Sequence, residues 1–338
     1  MNQSSTSDPS NKTNDEGNSV YLVGIVASLG DLPSLEKVVR GLSEEPKFAV
    51  AIILDECIEA SSGDDSVSAE SVSPSLFEQW TNLPVERPEP GEVPRAGRIY
   101  LAPVGWRLTV HDRLFAFDVS AEEADEPLCK DRFLSSLAGA WGERAVALIL
   151  SGGSSDGVGG ARAIKAEGGF VFVREPGDGE PSILPRAVVQ AGFADVIEAS
   201  ESMAERIYRV MRAADVREPL GDEELSADDY SAVDRILTQV RLVCNHDFSH
   251  YRSSTVLRRI RRRLPLKELD SLSEYADAIR ESREETLKLF EDMLITVTEF
   301  FRDPAVYEHL EKEVIPQLFG NKGGKDTVRV WSAGCATG

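Results

Sequence analysis

Histidine and cysteine are both scarce in this chain, with four of each in 338 residues. Cys57, Cys129, Cys244 and Cys335 are scattered and form no Cys-x-x-Cys pair, which excludes a disulfide framework and a zinc site of the usual spacing. His111, His246, His250 and His309 are too few and too dispersed for a metal cluster. Long apolar runs are absent too. Nothing approaches the ~20 residues of a membrane helix, and the amino terminus is polar rather than signal-like. Positive charge is in deficit, 37 Lys and Arg against 58 Asp and Glu, so the net charge of −21 argues against nonspecific binding to nucleic acid or to an anionic membrane. No internal repeat is visible. These absences predict a reduced, soluble, cytoplasmic protein with no metal and no membrane insertion. Its 41% hydrophobic content over this length suits two globular domains.

What is present is organised around residues 146–160, VALILSGGSSDGVGG. The apolar run 146–150 reads as a strand buried on both faces of a parallel sheet. A turn of small residues follows, where the backbone can bend tightly, and then an amphipathic helix from Val158. Asp156 lies between them, at the carboxyl end of a strand, where open α/β sheets place their chemistry. The other reading is that Asp156 only caps the helix. A similar strand-to-helix junction stands near the amino terminus, where residues 20–26 run into Ala27-Ser28-Leu29-Gly30-Asp31 and a helix over 32–42. Ser28 there is either a nucleophile on a sharp turn, beside backbone amides and the positive end of a helix dipole, or a serine that begins the turn.

Alternating strands and helices continue through residue 213 and predict an α/β doubly wound, mostly parallel sheet. Strands are expected at 48–54, 98–103, 146–150, 170–174 and 194–198, with a β-hairpin over 107–118 and a helix over 130–140. Residues 1–18 are polar and expected to form a disordered tail, and 61–75 form a low-complexity acidic loop. Residues 214–229 are polar and acidic, the expected linker. Beyond it a small all-α domain is predicted over 230–318, and then a strand at 328–331 that feeds a run of small residues over 332–338. That last pattern is how a nucleotide-binding sheet begins. Within the helical part, residues 252–267 (RSSTVLRRIRRRLPLK) carry seven basic residues and no acid. Val256, Leu257, Ile260 and Leu264 fall on one helix face, leaving Arg258, Arg259, Arg261, Arg262 and Arg263 to fan over the other. Two readings stand equally: a docking surface for an acidic partner, or a helix salt-bridged to acids of its own chain.

Taken in order, these motifs resemble a fusion of two bacterial chemotaxis enzymes. GIVASLGD, GRIYLAPVGWRLTV, DRFLSSLA and LILSGGSSDGVGGARAIKAEGG resemble the catalytic domain of the CheB-type protein-glutamate methylesterases, over about 19–213. DFSHYRSSTVLRRIRRR, ITVTEFFRDP and VRVWSAGCATG resemble the start of the CheR-type chemoreceptor glutamate O-methyltransferases, over about 230–338, with 319–338 opening a Rossmann-like domain that binds S-adenosylmethionine. The resemblance implies Ser28 as the nucleophile and Asp156 as the orienting acid, with no cofactor for this half. It implies Thr298, Arg302, Gly334 and Gly338 as S-adenosylmethionine contacts. Thr296 stands where the family often carries an asparagine. It also implies a methyl-accepting chemoreceptor or related signalling protein as partner, whose acidic helical bundle suits the five arginines. No phosphoacceptor receiver domain precedes the esterase-like part, so control by phosphorylation in cis is not expected.

One departure has chemical weight. At the family's histidine position, the end of the second strand, this chain has Glu56. A serine hydroxyl is a weak nucleophile until a base near neutral pKa takes its proton. Glutamate ionises near pH 4.3 and does not hand the proton on as imidazolium does. Glu56 and Asp156 would also repel one another, and Asp31 adds a carboxylate beside a site that must stabilise an oxyanion. The expectation is a methylesterase-like half that is catalytically impaired, joined to a methyltransferase of which this chain holds only the beginning. The alternatives are a non-catalytic receptor-docking scaffold, or a serine esterase using Ser28, Glu56 and Asp156 in the manner of the sedolisin peptidases, which work in acid.

Overall fold

The computed structural model describes residues 20–42, 46–55, 72–104, 106–117, 129–177, 182–215, 225–295, 304–320 and 327–332. Two compact units are present, residues 1–295 and 296–338. The first contains a seven-stranded, wholly parallel sheet in the order β3-β4-β2-β1-β7-β8-β9. In chain order the strands are β1 (Tyr21–Ser28), β2 (Phe48–Asp55), β3 (Val85–Glu86), β4 (Ile99–Leu101), β7 (Ala145–Ile149), β8 (Phe170–Arg174) and β9 (Val196–Glu198). An antiparallel hairpin, β5 (Leu108–His111) with β6 (Leu114–Phe117), lies outside the sheet. The doubly wound expectation holds, with the short edge strand β3 added.

The central strands read as unbroken apolar runs because helices cover both faces. Along β1, Tyr21, Val23 and Ile25 point into a layer with α1 (Leu32–Arg40) and α6 (Ser200–Asp215). Leu22 and Val26 point the other way, into a layer with α3 (Cys129–Trp141), α4 (Val158–Ala166), α5 (Ile183–Gln190) and the hairpin. A four-residue helix, α2 (Pro74–Phe77), buries Phe77 against the first layer.

The same unit holds an all-α bundle of α7 (Ala227–Cys244), α8 (Ser253–Lys267), α9 (Leu272–Glu281) and α10 (Arg283–Leu294), with its own core of Ile236, Val240, Ile260, Leu264, Tyr275 and Leu289 among others. Ser226 and Asp229 form a reciprocal capping box that starts α7, while Ser271 and Ser282 cap α9 and α10.

The second unit shows α11 (Pro304–His309), a π-helical turn (Leu310–Val314) and α12 (Ile315–Gly320). Pro304 opens the first turn of α11, where a missing N–H costs nothing. Residues 328–331, expected as a strand, have no ladder partner among the described residues, and Val330 and Trp331 are 85% and 90% exposed. A strand exists only through its neighbour's hydrogen bonds.

The carboxyl edge of the sheet as candidate active site

Parallel register brings the ends of β1, β2 and β7 to one edge, with Ser28 directly opposite Asp55. Ser28 is fully buried. Its Oγ accepts a hydrogen bond from Gly30 N at 3.3 Å and so caps the short 3-10 turn Leu29–Asp31. Its own N–H donates to Ser151 Oγ at 2.9 Å, tying the end of β1 to the loop after β7. This hydrogen bonding is that of a serine that begins a turn.

Asp156 lies on the same edge and is also buried. Its carboxylate accepts from the backbone N–H groups of Lys130 at 3.0 Å and Asp131 at 2.9 Å. It therefore caps a helix, but α3 rather than the helix that follows it in sequence. Asp131 returns the contact, accepting from Gly157 N at 2.9 Å and Gly160 N at 2.6 Å at the start of α4. Two neighbouring helix amino termini thus share two aspartates, each satisfying amides that would otherwise be orphaned. Burial pushes the Asp131 carboxyl above its usual range, the nearby Asp156 adding to this and the bonds from Gly160 and Gly157 opposing it. Gly157 adopts φ +118°, and a Cβ on Gly160 would collide with Leu134, so both glycines permit this close approach of α3 to α4.

Between the two carboxylates of the edge lies Lys130, 5% exposed. Its Nζ is ion-paired with Asp55 and stands 4.0 Å from Asp156 Oδ2. The Asp55 and Asp156 carboxylates thus share one buried ammonium. Asp31 is likewise not a bare charge. It is buried and faces Arg174 Nη2 at 3.4 Å, while Arg174 Nε donates to Leu150 O at 2.8 Å. Lys130, Asp55 and Arg174 escaped the sequence reading. One signal was available, because a lysine in the first turn of a helix opposes the helix dipole and needs a compensating partner.

Glu56 lies outside the described residues, as do Thr296, Thr298, Arg302, Gly334 and Gly338. All four histidines are described. His111 is on the hairpin, His246 and His250 are in the bundle, and His309 ends α11. Within the first unit, none of His111, His246 and His250 is at the carboxyl end of β1, β2 or β7. Among the described residues no group of His, Cys, Asp and Glu has the arrangement to hold a metal ion, and no helix is long and apolar enough to cross a membrane.

The arginine stripe requires a correction. Arg259, Arg262 and Arg263 are 2%, 5% and 3% exposed and Arg258 and Arg261 are half-buried, so the five do not form a solvent face. The physical reason is that α8 is covered on two sides. Val256, Ile260 and Leu264 meet the bundle core, while Arg259 and Arg262 meet the α/β layer. Arg263 pairs with Glu285 of α10 at 2.7 Å and with Asp292 at 3.4 Å.

Comparison with known proteins matches three family models in succession: CheB methylesterase over residues 23–207, the all-alpha domain of CheR methyltransferase over 231–294, and the SAM binding domain of CheR methyltransferase over 296–338. An uncharacterized 104.1 kDa protein of Rhodobacter capsulatus is 31% identical over 284 residues, covering 78% of this chain and 30% of the relative. A protein-glutamate methylesterase/protein-glutamine glutaminase of Oleidesulfovibrio alaskensis is 29% identical over 196 residues, 56% of this chain and 50% of the relative. The chain thus spans half or less of the length of these two relatives. The crystal structure of the Thermotoga maritima CheB methylesterase catalytic domain aligns over 56% of this chain and 97% of its own, at TM-score 0.46 and 23% identity.

Proposed function

The chain belongs to the CheB methylesterase family, and from that premise we propose that it is a cytoplasmic sensory-adaptation protein of bacterial chemotaxis whose esterase-like half hydrolyses methyl esters poorly or not at all. One observation carries this reading: within the first unit no histidine stands at the Ser28 edge, and the described cations there are Lys130, held by Asp55, and Arg174, facing Asp31. An ammonium in an ion pair has no lone pair with which to take the Ser28 proton, so the hydroxyl keeps its low nucleophilicity. The burial of Ser28 and the engagement of its Oγ by Gly30 N support the same conclusion.

In this proposal the other half is the start of an S-adenosylmethionine-dependent protein-glutamate O-methyltransferase, a reading that the matches to the CheR all-alpha and SAM binding domains support. Its substrate in this proposal is a methyl-accepting chemoreceptor or a related signalling protein. S-adenosylmethionine would supply the methyl group. The candidate contacts Thr298, Arg302, Gly334 and Gly338 rest on the family resemblance, with Thr296 at the variable position.

The test is methanol release from methylated receptor at neutral pH by the purified chain. Release no faster than the buffer blank is expected. Turnover that disappears in Ser28→Ala would overturn the proposal.

A further inference from the structure

The face of the α/β layer that α8 occupies is the amino edge of the sheet, opposite Ser28. Helix α4 ends there, and its last carbonyls need partners from outside the helix. Arg259 supplies them, donating through Nη1 to Lys165 O and through Nη2 to Ala166 O, each at 2.7 Å. Arg262, one turn on, donates through Nε to Gly169 O at 2.8 Å and places its guanidinium 5.4 Å from the centre of the Phe170 ring. The same guanidinium pairs with Asp195, just before β9, and with Asp292 of α10 at 3.1 Å. Lys165 of α4 completes a ring of alternating charge, 2.7 Å from Asp292 and 3.5 Å from Asp195. Beside it Leu266 enters the apolar layer beneath α6, and Arg206 of α6 donates to Leu266 O at 2.9 Å.

A buried charge network of this kind adds little net stability over full hydration of its members. It does restrict geometry. Lys165, Asp195, Arg262 and Asp292 each have counter-ions in this one arrangement, and a slipped or rotated bundle would leave a buried charge alone. The fork of Arg262 further demands planar acceptors at fixed angles.

We propose that the amino edge of the esterase-like domain is a docking surface built for the Arg259-x-x-Arg262 face of α8. It holds the methyltransferase's all-α domain of the same chain in one orientation and leaves the carboxyl edge uncovered by the bundle. The α/β half is then a scaffold for the methyltransferase half. This rests on the reading of that half as non-hydrolytic, and it assigns the arginines to the chain itself rather than to a receptor.

Hydrogen exchange and thermal melting of the full chain test it. Arg262→Met is expected to raise exchange of amides over 164–170 and along α8 together, about tenfold, while β1 and β7 keep their protection. The melting temperature is expected to fall by about 10 °C, the scale for breaking a buried pair in a domain of this size. Adding Asp195→Asn to Arg262→Met should recover part of that loss, because it removes a buried carboxylate that has lost the nearer of its two counter-ions. Arg262→Lys, which keeps the charge but not the fork, should loosen the same amides less. Arg258→Gln should leave them unchanged. Unaltered protection over 164–170 in Arg262→Met would overturn the proposal, as would an equal loss in Arg258→Gln. Methanol release alongside an intact clamp would instead count against the non-hydrolytic reading alone.

Discussion

Replacing Asp156 with alanine separates its two possible roles, because the structure makes it a helix cap in a site where an orienting acid would stand. The change removes two acceptor contacts, to Lys130 N at 3.0 Å and Asp131 N at 2.9 Å, from the first turn of α3. Loss of an N-cap costs about 1 kcal/mol, and loss of a partly buried negative charge from a helix amino terminus costs about 1 kcal/mol more. Lys130 keeps Asp55 but loses its second carboxylate, for which about 1 kcal/mol is a fair allowance at 4.0 Å. The sum, about 3 kcal/mol, corresponds to a fall in melting temperature of roughly 6–12 °C. Asp156→Asn retains an acceptor and should lose about half as much. Differential scanning calorimetry at pH 7 measures both, and hydrogen exchange should show the Lys130 and Asp131 amides losing protection first. If Asp156→Ala melts with the parent and those amides stay protected, the capping argument is wrong and Asp156 is held for another purpose.

Further outcomes follow from the same contacts. Lys130→Met strands Asp55 and Asp156 beside one another and should destabilise by about 3 kcal/mol, whereas an unchanged melting curve would mean that Lys130 is not their counter-ion. Gly160→Ala drives a methyl group into Leu134 and should lower the melting temperature by several degrees through overpacking; full tolerance would contradict the close α3–α4 approach. Stability should also fall in acid. Burial raises the Asp195 carboxyl, but Arg262 and Lys165 outweigh it and hold the group below its usual range. Glu285 is held low in the same way, with Arg263 and Lys267 opposing burial. A depressed folded pKa means that the unfolded chain takes up the proton first. The contribution is therefore complete above the ordinary carboxylate range near pH 4 and is lost as pH falls below it, through the folded values. Melting temperatures from pH 6 to pH 2 should fall more steeply for the parent than for Arg262→Met with Asp195→Asn, and parallel curves would refute this.

The sheet was legible from residue patterns because burial on both faces forces uninterrupted apolar runs, as in β1, β2 and β7. The junctions after β1 and β7 were equally legible, since small residues between a strand and a helix leave few other conformations. That Glu56 stands at the family's histidine position is also a property of the sequence. Partners across space were not legible. Asp156 caps α3, from 26 residues back in the chain at Lys130, because the sheet brings that helix terminus beside it. Lys130 reads locally as a misplaced charge and becomes a counter-ion only when β2 and the loop after β7 converge on it. The arginines of α8 show the division most plainly. Their spacing determines a basic helix with one apolar face, but a charge pattern is the same whether its counter-ions lie in a partner or in the same chain. Only the tertiary structure, by bringing Asp195 and the carbonyl end of α4 against α8, decided that Arg259 and Arg262 are turned inward.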